Sequence, residues 1–151
     1  MLTRALIAAG RQLFGLGCLF LVIIGLSGCG SDSPFKYVRT SGQITYDDGT
    51  PIPGGCRLMF YSQDVEAVGT AHPRPGMANV GPDGKFDCVT SYKYGDGLVP
   101  GKHKVVIQTA NERDGAPIVA QEYATVESTK LVIDTANLPL DIKVPKPKDK
   151  R

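Results

Sequence analysis

Polar and apolar residues alternate with period two along much of the chain, the pattern of strands with one face buried. Val38, Thr40, Gly42, Ile44 and Tyr46 fall on one side of such a segment, and Tyr37, Arg39, Ser41, Gln43 and Thr45 on the other. Residues 56–61 alternate in the same way, with Cys56, Leu58 and Phe60 inward. Similar patterns predict strands near 67–71, 77–80, 85–90, 102–110, 130–134 and 138–144, and a loosely paired edge over 118–126. Along 102–110, His103, Val105 and Ile107 share a side. Turn chemistry separates these segments, because Gly accepts positive φ at no steric cost. The turns are Asp47-Asp48-Gly49, a hairpin at Pro82-Asp83-Gly84, Gly95-Asp96-Gly97 and Pro100-Gly101. No amphipathic helix is predicted after residue 29. About seven short strands with turns at close spacing predict an all-β, two-layer antiparallel sandwich over 37–144. Its core should hold Ile44, Leu58, Phe60, Phe86, Val105, Ile107, Val132 and Ile142.

The front of the chain follows a different rule. An apolar run over residues 13–26 is preceded by Arg4 and Arg11 and followed by small residues. This is the order of a secretory signal: a positive start, a greasy stretch and a small-residue cut site. The run is about 14 residues long, short of the roughly 20 that span a bilayer. Leu26-Ser27-Gly28-Cys29 resembles the lipobox of bacterial lipoproteins at all four positions. The resemblance implies cleavage between Gly28 and Cys29, a diacylglyceryl group on the Cys29 thiol, and acylation of the new amine. Residues 1–28 are then a signal peptide, and 29–36 a lipidated Cys and tether. The tether is short, since five residues at full stretch reach about 17 Å. By the usual sorting rule, Gly30 rather than Asp after the Cys favours the outer membrane over the inner.

Composition narrows the partners. The chain carries 17 Lys+Arg against 15 Asp+Glu. The excess is Arg4 and Arg11, so the segment from Cys29 onward is neutral. That argues against nucleic acid, which needs a dense positive face. Residues 145–151, Pro-Lys-Pro-Lys-Asp-Lys-Arg, have no apolar face and are expected to be a disordered basic tail. There are four cysteines. Cys18 leaves with the signal and Cys29 carries lipid, which leaves Cys56 and Cys88. Parity places Cys56 with Leu58 and Phe60, and Cys88 with Phe86, so a disulfide between Cys56 and Cys88 is expected outside the cytoplasm.

Reactive chemistry is sparse. Nucleophilic catalysis needs a Ser or Cys beside a base, and the chain has no Gly-x-Ser-x-Gly elbow. Its two histidines are His72, in the loop His72-Pro73-Arg74-Pro75-Gly76, and His103, read as a packing residue. Two separated histidines do not make a metal site. The Asp-Gly pairs lack the long loop with closing Glu that calcium requires. No catalytic residue, metal or cofactor is predicted, and the protein is read as not an enzyme. Tyr92 and Tyr94, beside Gly95-Asp96-Gly97, are a candidate aromatic patch.

Three stretches resemble carboxypeptidase regulatory-like domains. They are Gly42-Gln43-Ile44-Thr45-Tyr46 with Asp48-Gly49-Thr50-Pro51-Ile52-Pro53-Gly54 and Arg57-Leu58-Met59-Phe60; then Gly81-Pro82-Asp83-Gly84-Lys85-Phe86; then Gly95-Asp96-Gly97-Leu98-Val99-Pro100-Gly101-Lys102-His103-Lys104-Val105. The resemblance implies a transthyretin-like, prealbumin-like sandwich acting as a structural or binding module. The fold also hosts 5-hydroxyisourate hydrolase, which depends on a histidine-bearing site and a Tyr-Arg-Gly-Ser end; this chain ends in Lys-Asp-Lys-Arg.

The favoured function is a non-catalytic, lipid-anchored module of the cell envelope, facing the periplasm or the surface, with a structural or protein-binding role. Its partners are the membrane, through lipid on Cys29, and an envelope protein or polysaccharide. The alternatives are a carbohydrate- or peptidoglycan-binding module and, disfavoured, a small hydrolase.

Overall fold

The computed structural model describes residues 33–109 and 117–147. Leu26, Ser27, Gly28 and Cys29 lie outside the described residues, as does the end of the basic tail. The described residues belong to the compact unit Ser33–Arg151.

The fold is all-β, with two sheets. Its strands are β1 (Gly42–Tyr46), β2 (Cys56–Ser62), β3 (Gly76–Val80), β4 (Lys85–Phe86), β5 (Lys102–Gln108), β6 (Val132–Asp134) and β7 (Leu140–Val144). One sheet has the order β4-β1-β7 and the other β3-β2-β5-β6. The four-stranded sheet is antiparallel throughout. The three-stranded sheet is mixed, because β1 and β7 run parallel from Gly42↔Leu140 to Tyr46↔Val144. This corrects the antiparallel expectation. The last strand reaches β1 from across the molecule, not through a tight turn, so nothing local forces an antiparallel pair.

Alternation along the strands builds the core. Ile44, Tyr46, Leu140, Ile142 and Val144 from one sheet meet Leu58, Phe60, Ala78, Val105 and Ile107 from the other in one buried cluster. Phe60 and Phe86 face each other across the layers, with ring centroids 6.3 Å apart and planes tilted by 49°. Such a tilted pair adds about 0.5–1.5 kcal/mol beyond its area. Val132 does not join this core and is 49% exposed. β6 is only three residues long at the sheet edge, and its neighbours Leu131 and Ile133 pack against the cluster instead.

Four further expectations also change. Pro82-Asp83-Gly84 does turn tightly, with the Gly84 amide donating to the Gly81 carbonyl (3.0 Å) and the Gly81 amide to that of Lys85 (2.9 Å). It joins strands of different sheets, however, so it is a corner and not a hairpin within one sheet. Residues 67–71 form a small turn closed by a Val68–Ala71 bridge. Residues 118–126 contain a 3₁₀ helix at Gln121–Tyr123 in place of an edge strand. The disulfide is not formed, and Cys56 and Cys88 are both free thiols. Parity fails because β4 ends at Phe86 and the chain bends at Asp87. Val89 then takes the buried side, and Cys88 is left half-exposed beside Gly95.

The strands place their loops at two ends. At one end the chain arrives from Ser33 and bridges Val38 to Leu98, with amide-to-carbonyl distances of 2.7 and 3.0 Å. Met77 bridges Thr90 there, and the Gln63 amide reaches the Lys102 carbonyl at 2.9 Å. This end, called proximal below, gathers the loops 33–41, 63–75, 87–101 and 135–139. The distal end carries the turn after β1, the Gly81–Lys85 corner and the departing C-terminus. There Lys146 Nζ sits 3.1 Å from Asp48 and 5.3 Å above the Tyr46 ring. The chain at Lys146 therefore leaves from the end opposite the one at which it arrives from Ser33.

Candidate functional site

The proximal loop 90–97 is held in shape by side chains bonded to its own backbone. Asp96 is its clamp. Its Oδ1 accepts the Ser91 amide at 2.8 Å, and its Oδ2 accepts those of Tyr92 (2.9 Å) and Lys93 (2.8 Å). The Ser91 hydroxyl donates to the Gly97 carbonyl at 2.7 Å, and the Gly95 amide donates to Thr90 Oγ1 at 3.1 Å. Asp is suited to this role, because a short carboxylate satisfies several backbone donors within one turn. Gly97 completes the loop with φ +100°. A Cβ at Gly97 would run into the Val38 carbonyl oxygen, so only Gly lets the loop lie against the arriving chain.

This scaffold presents the two tyrosines differently. Tyr92 is half-buried, and the Arg74 guanidinium lies 4.9 Å over its ring. Tyr94 is 90% exposed. Arg74 comes from a rigid Pro-flanked loop, and no spacing in the sequence announces its stacking on Tyr92. Beside the loop, Arg39, Thr40, Ser41, Asp87, Cys88 and Gly95 line a groove of about 320 Å³. Val68, on the neighbouring 63–75 loop, is 54% exposed.

Elsewhere the chemistry is quiet. His103 lies on β5 and is 2% exposed. Its Nε2 is 2.8 Å from the Val99 carbonyl oxygen, and its Nδ1 is buried without a hydrogen-bond partner. Burial lowers its pKa, opposed by the Val99 bond and by the charges of Asp64 and Asp134. His72 stands exposed on its loop. Burial pushes the Cys56 thiol up to about 12, so it is protonated and a poor nucleophile. No cluster of three or more His, Cys, Asp or Glu side chains that would suit a metal occurs among the described residues. A groove of about 410 Å³ at the distal end is lined by Gly54, Gly55, Cys56, Arg57, Asn79 and Gln108, among others. It brings no base and nucleophile together.

No family model, no curated protein and no solved structure matches this chain.

Proposed function

We propose that the protein is a lipid-anchored, non-catalytic module of the bacterial cell envelope, tied to a membrane through Cys29, with a structural or protein-binding role. One observation carries this reading. The four-residue motif Leu26-Ser27-Gly28-Cys29 ends four residues before Ser33, where the compact β unit begins. A membrane tether and a small folded module are thus adjacent in sequence. Within the two-sheet fold, the resemblance of residues 42–107 to carboxypeptidase regulatory-like domains supports a transthyretin-like topology. Loop geometry is compatible with such a module: Asp96, Ser91 and Thr90 spend their side chains on the backbone of their own loop.

Mass spectrometry of the mature chain tests the reading. An acylated Cys29 as the first residue is expected, and Cys29→Ser should release the protein from membranes. An unmodified N-terminus elsewhere, with the protein soluble after lysis, would refute it. A second reading, binding of a glycan or peptidoglycan strand, draws on the 90% exposure of Tyr94. Loss of polymer co-sedimentation in Tyr94→Ala would favour it.

A further inference from the structure

We propose that the proximal end of the module seats on the bilayer itself, with Tyr94 and Val68 in the lipid interface. The proposal rests on the anchoring reading through Cys29. It starts from where the exposed apolar side chains lie. Among the described residues, the large exposed ones are Val38, Val68, Tyr94 and Val132. Single exposed apolar residues are ordinary. Here three of the four sit on proximal loops, and the fourth is on the β6 edge. None lies on the distal turns.

Chain length sets which end meets lipid. Ser33 follows Cys29 by four residues, a reach of about 14 Å at most. The seven residues of β2 span about 23 Å, so the tether is shorter than the sandwich is long. Ser33 is itself fastened at the proximal end. Its hydroxyl accepts the Phe35 amide at 3.2 Å and lies 3.0 Å from the hydroxyl of Tyr37, the residue before the Val38–Leu98 bridge. Acyl chains on Cys29 therefore hold the proximal end, and not the distal one, within reach of the headgroups.

The side chains suit that interface. Tyr is favoured at headgroup depth, with its ring in the apolar boundary and its hydroxyl in water. The Asp96 clamp already orders the loop, so little entropy remains to be lost on contact. Charge is not the driving force. Lys36, Arg39, Arg74 and Lys93 on the proximal loops are balanced by Asp64, Glu66, Asp87 and Asp96. Seating should therefore resist salt and need no anionic lipid. The chain at Lys146 departs from the opposite end, away from the surface.

The chain contains no Trp, so single tryptophans report without background. The full lipidated protein is reconstituted in phosphatidylcholine vesicles whose acyl chains carry bromine near the headgroup. Tyr94→Trp and Val68→Trp are compared with Lys143→Trp on the distal half of β7. Quenching about twofold or more stronger at positions 94 and 68 than at 143, unchanged by salt, is the expected result for side chains buried in the boundary region. Equal quenching at all three, in protein that still floats with the vesicles, would overturn seating while leaving the anchor intact. Failure to float, with an unacylated N-terminus, would overturn the anchor and the proposal together. Fluorescence of the Tyr94→Trp protein that responds to peptidoglycan fragments and not to vesicles would overturn it in favour of polymer binding.

Discussion

His103 Nε2 lies 2.8 Å from the carbonyl oxygen of Val99, four residues earlier in the chain. A carbonyl only accepts, so Nε2 carries the ring proton and Nδ1 is the bare nitrogen. That nitrogen is buried with no partner. The arrangement holds the ring neutral, and a second proton would place an unsolvated charge between the sheets.

Acid should therefore weaken the fold through His103. Its folded-state pKa is lowered, by burial first, from an unfolded value of 6.5. The unfolded chain then binds the extra proton more readily than the folded one. Stability is fully present above 6.5, and it falls as pH drops below 6.5 toward the folded pKa. Urea midpoints should decrease between about pH 7 and pH 5, and the decrease should be smaller in His103→Leu. An identical pH slope in both proteins would show that another group is responsible.

Gly97 and Gly69 separate backbone strain from collision. Both have positive φ, +100° and +63°. A Cβ at Gly69 meets nothing within 4 Å, whereas one at Gly97 strikes the Val38 carbonyl. Gly69→Ala should cost about 1–2 kcal/mol, the left-handed conformation alone. Gly97→Ala should cost more and should speed hydrogen exchange at the Val38 and Leu98 amides. Equal losses would mean that the Val38–Leu98 bridge yields freely.

Phe86 and Val132 test the core assignment. Phe86 is 3% exposed and packs on Phe60, while Val132 is half in solvent. Phe86→Ala should cost about 3–5 kcal/mol in chemical denaturation. Val132→Ala should stay within about 0.5 kcal/mol.

The two thiols should differ in reactivity. Cys56 is buried with its pKa pushed up to about 12, and Cys88 is half-exposed. Brief alkylation of native protein should label Cys88 and spare Cys56 until denaturant is added. A Cys56–Cys88 crosslinked peptide in non-reducing maps would contradict the separation of these side chains.

Tyr46 closes the distal end by donating its hydroxyl to the Ile118 carbonyl, 2.7 Å away across 72 residues. Tyr46→Phe should cost about 1 kcal/mol. The loss should appear as faster exchange near Val119 while β1 and β7 remain protected.

Period-two alternation was enough to locate most strands and their inward faces, because side-chain direction along an extended backbone is a local property. Ile44, Leu58, Phe60, Phe86, Val105, Ile107 and Ile142 are buried as their parity requires. The turns were legible for the same reason, since a Gly after Asp reports a positive φ irrespective of what surrounds it. The tertiary structure decided everything that depends on which strands meet. It made β1 and β7 parallel, turned the Asp83-Gly84 hairpin into a corner between sheets, and set Cys56 opposite Val80 at the distal end while Cys88 follows Phe86 toward the proximal end. It also stacked Arg74 on Tyr92 and left Tyr94 outside, at the end where the chain arrives. Those outcomes belong to residues far apart in sequence, and no local pattern encodes the pairing that brings them together.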